Sequence, residues 1–402
     1  MNVTLRLRSE SWLLLGGYDT QFHEDDPLRT QSLKGLWRYW LRAYIAGALY
    51  EAGRLKCRRG EKRICEAEVR DICEKTGEIL GSLKSASKFR IVVNRVSLGG
   101  RKYRDMRTAQ RIRLLSLRRE GGGISYGEGL SAEIRIEESF HVKRIDEDER
   151  KLALGSLLTA LSLNGLGKGG RRGLGTFSVE VDGLEGRFLR NKRIDYSAVR
   201  ELINETLESA RSYLNLGVEK VSEIPPVDCI CNVRVDLSKV DGSVSLFSKE
   251  EVPVFTVIKA KPKDGRGIDD MVIELQDFFY RPGRSRRMGF RMTSADKSQD
   301  IITKKRLAWF LGLPREQKGR GYISDVNRRA SPVHLAVHEE GALFTFFLSG
   351  DWPTEIKWRG PYSKPLPSRI GIETVKKAYL YSISSLEDYL NKMRYEYEVV
   401  YP

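Results

Sequence analysis

The stretch Asn164–Phe177, Asn-Gly-Leu-Gly-Lys-Gly-Gly-Arg-Arg-Gly-Leu-Gly-Thr-Phe, constrains the fold of this chain more than any other. Five glycines (Gly165, Gly167, Gly169, Gly170, Gly173) fall within nine residues, between an apolar helix-like run and a strand-like one. Glycine reaches left-handed backbone angles and lets main chains approach with no side chain between them. A helix must end here and the chain must turn into a strand. Lys168, Arg171 and Arg172 lie among the glycines, so backbone N–H groups and cations together are expected to cradle phosphates. A purely structural turn is the plain alternative.

The stretch fits neither common nucleotide loop. Gly165 to Lys168 is too short for the Gly-x-x-x-x-Gly-Lys-Ser/Thr order. A Gly-x-Gly-x-x-Gly pattern (Gly165, Gly167, Gly170) follows a helix and leads to a strand, the reverse of the dinucleotide-binding context.

Periodicity organises the rest. Val3–Arg8 alternates as a strand, with Val3, Leu5 and Leu7 on one face. From about Thr30 to Ala52 a helical stripe runs through Leu33, Leu36, Trp37, Trp40, Leu41, Tyr44, Ile45 and Leu49, with Thr30 or Ser32 as cap. A less ordered basic stretch is expected to about Lys88, then strands at Phe89–Val96, Arg111–Leu117 and Ala132–Val142. Asp146–Leu163 reads as a helix whose opening acids suit its dipole, and Gly175–Val181 as a strand. Strand, helix, strands, helix, strand is the ferredoxin-like order.

Tyr196–Leu216 reads as a connecting helix, and Ile224-Pro225-Pro226 as the best boundary. The second half repeats the plan. Strands are predicted at Cys229–Leu237 and Pro253–Ala260, and a helix within Ser298–Leu313. A hairpin joins Val333–His338 to Ala342–Ser349, ahead of a helix near Val375–Met393 and a strand Glu396–Tyr401. The expected fold class is α+β: two tandem ferredoxin-like (RRM-like) βαββαβ domains with inserted loops, at 1–222 and 223–402.

Charge points to the partner. Lys and Arg number 70 against 54 Asp and Glu, a net +16 that favours a polyanion, most often nucleic acid. Residues 95–119 hold nine cations and one acid, and 281–291 hold five arginines and no acid. The latter reads as a basic loop, with Arg284, Arg286 and Arg287 as RNA-contact candidates on charge alone. On the first helix Lys34, Arg38 and Arg42 are spaced four apart and share a side, next to Trp37, Tyr39 and Trp40. Cations for phosphates beside flat rings for bases suit single-stranded nucleic acid. Core packing is the competing reading for both tryptophans, and more so for Trp40.

Catalysis finds little support. Of four histidines, His334 and His338 sit in a strand pattern, where four residues span roughly 13 Å, too far to share a metal ion. Cys229 and Cys231 lack partner ligands for zinc, and the five cysteines read as reduced thiols. His23, in an acidic loop before the first helix, is the one candidate general base. The N-terminus opens on a polar strand rather than a signal core, and the longest apolar run, Leu152–Leu163, is too short for a bilayer. A cytoplasmic protein without cofactor or membrane partner is expected.

Three segments carry a family resemblance. Ser32-Leu33-Lys34-Gly35-Leu36-Trp37-Arg38-Tyr39-Trp40-Leu41-Arg42 resembles the first-helix signature of the RAMP superfamily of CRISPR proteins. Gly165–Phe177 resembles that superfamily's glycine-rich loop. Arg328-Arg329-Ala330-Ser331-Pro332 with its following strand looks like the second-domain motif of the family of first-numbered subunits in the Cmr (type III-B) effector complex. The resemblance implies a non-catalytic RNA-binding subunit that handles the 3′ part of a guide RNA and its paired target, alongside other Cmr subunits. It makes Lys34, Arg38, Arg42, the glycine loop, Arg328 and Arg329 the RNA-facing candidates, with Trp37 beside them. A RAMP-type endoribonuclease that processes CRISPR precursor RNA without metal, with His23 as base, is the alternative. A generic ribosomal or RNA-chaperone protein is a weaker third.

Overall fold

A computed structural model describes residues 2–15, 28–55, 64–98, 125–126, 130–139, 145–183, 193–194, 197–221, 223–238, 244–247, 251–279, 307–312, 315–317, 320–326, 329–359 and 369–402. The basic stretches 99–124 and 281–306, the expected strand Arg111–Leu117, and His23, Arg284, Arg286, Arg287 and Arg328 lie outside the described residues.

Alternation in the first residues does what its period dictates. Strand β1 (Asn2–Ser9) buries Val3, Leu5 and Leu7 and pairs antiparallel on both sides. With β2 (Phe89–Leu98), β3 (Leu130–Glu138) and β4 (Phe177–Asp182) it forms a sheet in the order β2-β3-β1-β4, and Arg193–Ile194 adds a short strand beside β4. Helix α1 (Thr30–Glu51) follows β1. Further along, α2 (Glu66–Leu80) precedes β2, and α3 (Glu147–Leu163) joins β3 to β4. Each crossover between neighbouring strands therefore carries a helix to cover the sheet. Helix α4 (Val199–Tyr213) packs on α3, close enough that a Cβ on Gly155 would sit 2.0 Å from Thr206 Oγ1.

The second sheet repeats the order. It is built from β5 (Phe255–Pro262), β6 (Val333–His338), β7 (Gly341–Phe347) and β8 (Tyr395–Tyr401), arranged β6-β7-β5-β8. Helix α5 (Ile268–Phe279) follows β5 and α6 (Ile372–Lys392) follows β7. The molecule is thus an α+β fold with two strand–helix units of the same strand order, consistent with ferredoxin-like units.

Several expectations change. The segment before Lys88 contains a regular helix, because Ile72, Thr76, Ile79 and Leu80 bury one stripe while charges cover the rest of α2. Likewise α5 was hidden by its acidic first turn, Asp269 and Asp270, although Met271, Val272, Leu275, Phe278 and Phe279 are buried. Neither Thr30 nor Ser32 caps α1; its N-cap is Arg29, with no side-chain cap. By contrast, Asp146 caps α3 through the Glu149 N–H at 2.7 Å. Only Arg234–Asp236 of the strand expected at Cys229–Leu237 enters a ladder. The described part of Ser298–Leu313 is one short 3-10 turn, Ala308–Leu311. Cys65 is disulfide-bonded, which corrects the all-thiol expectation, while Cys73, Cys229 and Cys231 are free.

The expected linker is buried rather than exposed. Ile224 through Val227 lie against the core, and the chain after them presses on α1 so closely that a Cβ on Gly47 would meet the Ile230 carbonyl oxygen at 1.7 Å. Buried Glu51, at the end of α1, accepts from Arg211 Nε at 2.7 Å and from the Asn232 N–H at 2.5 Å. A carboxylate removed from water needs such partners. It ties α1 to α4 and to the entry into the second unit.

Candidate nucleic-acid interface

The glycine loop is a fastener between the units. Its amides at Gly165, Leu166, Lys168, Arg172, Gly173 and Gly175 donate to the carbonyls of Gly170, Gly175, Leu14, Gly169, Leu335 and Trp12, at 2.6–2.8 Å. The expectation that these N–H groups face phosphates is corrected, since main-chain acceptors already take them. Arg172 and Leu335 form one parallel rung, with Leu335 N–H donating back to the Arg171 carbonyl at 3.2 Å. The loop thereby covers β6, the edge strand of the second sheet, whose open side would otherwise remain unpaired. Gly173 is required there: its φ is +78°, and a Cβ would fall 2.8 Å from Val337 Cγ2.

Strand β6 is buried along its whole length because both of its sides are covered. Thr176 Oγ1 donates to the Val337 carbonyl. His338 places Nδ1 2.8 Å from Glu10 Oε2 and Nε2 2.9 Å from the Ser162 carbonyl. Both partners accept, an arrangement satisfied by a ring that donates from both nitrogens. Burial pushes the Glu10 carboxyl up, and the hydrogen bond and charge of His338 more than offset it, leaving the pKa below the usual 4.5. His334 lies 3.1 Å from Asn164 Oδ1, and burial, with Arg171 and Arg172 nearby, holds its pKa well below 6.5. Both histidines serve packing between the units. Among the described residues, no group of three or more His, Cys, Asp or Glu could hold a metal ion.

The candidate RNA contacts separate into committed and available groups. Trp37 is a correction: it is fully buried, donates from Nε1 to the Ala153 carbonyl at 2.7 Å, and leans on Phe89. Its place on the apolar stripe made core packing the physical outcome. Trp40 is buried as well. Arg38 donates from Nη2 to the Leu80 carbonyl at 2.7 Å and so satisfies the C-terminal end of α2. Arg172 donates to the carbonyls of Val333 (3.1 Å) and Leu311 (3.3 Å) and lies 4.2 Å over the Phe279 ring. Arg329 donates to the carbonyls of Asp351, Ala330 and Ser349 and sits 3.5 Å over the Trp352 ring. Burial pulls its guanidinium down to about 10, against the opposing charges of Asp228 and Asp351.

Lys34, Arg42, Lys168 and Arg171 are different. Arg42 and Arg171 are exposed, and Lys34 and Lys168 half-exposed. Burial and the charge of Arg38 lower the Lys34 pKa, which agrees with the shared helix side read from the four-residue spacing. Tyr39, half-buried on α1, stands at this end of the seam, edge-on to Trp40 at 5.7 Å and 6.1 Å from His334. The charges of Asp228, Arg171, Arg329 and Arg42 all reach its hydroxyl. Sequence reasoning set Tyr39 beside the tryptophans without singling it out, and it passed over Asp228. The i and i+3 spacing of Tyr39 and Arg42 was the available signal for the first. Nothing local marked the second.

This geometry accompanies a family match. Residues 14–178 match the RAMP superfamily model. The RAMP segment runs from Leu14, whose carbonyl receives the Lys168 amide, to Ser178 in β4, and includes α1 and the glycine loop. Among solved structures, Cmr1 from Pyrococcus furiosus in its apo form aligns over 100% of this chain and 99% of its own, with TM-score 0.51 and 16% identity. Two structures of the type III-B Cmr-beta complex bound to cognate target RNA also align, one of them with AMPPnP and in the presence of ssDNA. They are 14% identical, cover 95% and 96% of this chain and 99% of theirs, and have TM-scores of 0.47 and 0.48. At such identity the likeness to Cmr1 is one of fold. No curated protein sequence matches significantly. Among the described residues no helix is long and apolar enough to cross a membrane.

Proposed function

We propose that this chain is an RNA-binding subunit of a type III-B CRISPR (Cmr) effector complex, contacting the guide RNA 3′ region, the target RNA, or both, next to other Cmr subunits in the cytoplasm. The observation that carries the reading is the open end of the seam, where exposed Arg42 and Arg171 flank the half-exposed Tyr39 ring. Cations beside an aromatic surface suit phosphates and unstacked bases of a single strand. The RAMP match over that same segment supports the choice of RNA. The role is binding without catalysis: the two histidines described in the seam are buried and committed to packing.

The test is a gel-shift and cleavage assay on the purified chain with labelled single-stranded RNA, with and without a CRISPR repeat, and DNA of the same sequence. A shift with intact RNA supports the proposal. Discrete cleavage within the repeat would overturn it in favour of a processing endoribonuclease.

A further inference from the structure

Asp228 is the one side chain at the open end of the seam whose chemistry the RNA-binding reading leaves unused. It is partly exposed, yet its Oδ1 is buried without a hydrogen-bond partner. Its nearest cation does not serve it, because Arg329 donates to three backbone carbonyls and lies flat on Trp352. Gly350 explains how the two groups come so near. A Cβ there would lie 2.6 Å from Arg329 Nη2 and 2.7 Å from Asp228 Oδ1, so the floor between them admits no side chain. A buried acceptor left unpaired is costly, and such sites in native structures call for an explanation.

The surroundings limit what could supply the missing donor. Arg171 is exposed and both Arg171 and Arg329 act on the Asp228 charge, so a phosphate can be held within reach of the same carboxylate. The Tyr39 ring gives a flat, half-open surface whose hydroxyl feels Asp228, Arg171 and Arg42 together. A cation, a flat ring and an acceptor-only carboxylate match the phosphate, base face and donor edge of one nucleotide. Burial pushes the Asp228 carboxyl up while Arg329 and Arg171 oppose it, and donors from a base would act on the side of the arginines.

The base follows from its donors. Guanine presents N1–H and N2–H2 side by side, enough for both oxygens of a carboxylate. Uracil presents one N–H between two carbonyls that would repel it. Adenine and cytosine each set a single amino group beside an acceptor. We infer that Asp228, with Tyr39 and Arg171, forms a guanine-selective nucleotide subsite for single-stranded RNA at the seam between the two units. The inference rests on the RNA-binding reading and adds base selectivity to it.

The experiment is fluorescence anisotropy of the full chain with three labelled 12-mers at one salt concentration: all-uridine, the same with one central guanosine, and the same with inosine there. The guanosine strand should bind about five- to hundredfold tighter than all-uridine, the range of one good bidentate base contact. Inosine, which lacks the N2 amine, should fall between them. Asp228→Asn should remove the preference and keep the all-uridine affinity. If that variant misfolds, the inosine comparison reads the same contact from the RNA side. Equal affinity for all three strands would overturn the subsite and leave RNA binding standing. A guanosine preference that survives in Asp228→Asn would also overturn it. Binding to none of them at low salt would overturn the RNA-binding reading itself, and the subsite with it.

Discussion

Two ends of one seam behave differently although they are made of similar residues. At the closed end the glycine loop zips onto β6, and Arg172 is tied to Val333, Leu311 and Phe279. At the open end Arg171, its neighbour in the chain, is exposed and reaches Tyr39 and Asp228 only through its charge. Adjacent arginines thus divide into one that holds the units together and one that can meet a ligand. A cation counted in a sequence motif becomes a binding residue only where the fold leaves its hydrogen-bonding capacity unused.

The largest effect that can break this comparison is at Trp37. Trp37→Ala should cost about 3–5 kcal/mol in chemical denaturation, the usual cost of emptying a core site of its aromatic side chain. An RNA-contact role would instead leave stability intact and weaken binding. Next is the closed end. Gly173→Ala forces a side chain into a left-handed conformation against Val337, a strain of about 1–3 kcal/mol read as a lowered Tm. Arg172→Ala should cost a similar amount, about 1.5–3 kcal/mol at most, since its hydrogen bonds are charge-assisted but only half-buried.

A smaller but more telling contrast is Arg171→Glu. It should leave Tm unchanged, weaken RNA binding, and make the log–log salt dependence shallower by about 0.7 for a lost phosphate contact. An unchanged slope would place the RNA elsewhere. The smallest effect is in acid. The Glu10 pKa is depressed in the folded state, so its contribution is complete above the unfolded value near 4.5 and is lost as pH falls through the lower folded one. Glu10→Gln should therefore flatten the stability-versus-pH curve below about pH 4.5 and leave its slope near neutrality unaltered.

Much of the fold was legible because period and spacing are local properties. β1, α1, α3 and the hairpin of β6 and β7 stand where the alternation and the helical stripes put them. α2 and α5 were missed for a shared reason: charges crowd their exposed faces and dilute a narrow buried stripe. The candidate site was legible in part. Arg42 and Arg171 stand exposed, whereas Trp37, Arg38, Arg172 and Arg329 are committed to the core or to backbone carbonyls. Those commitments are made to partners 22 to 161 residues distant in sequence, which no spacing rule can see.

The sequence alone determined the α+β alternation, the basic character and the glycine-rich joint, because each depends on neighbours in the chain. Tertiary structure alone decided what the joint is for. Gly173 and Gly175 serve close main-chain approach, and the loop's amides face carbonyls of the second unit and of the N-terminal segment rather than solvent. It also decided that Asp228, unremarkable in the sequence, would sit with an unpaired oxygen beside Tyr39 and Arg171. Burial and pairing depend on what the rest of the chain packs around a residue, and that is set only when the two sheets meet.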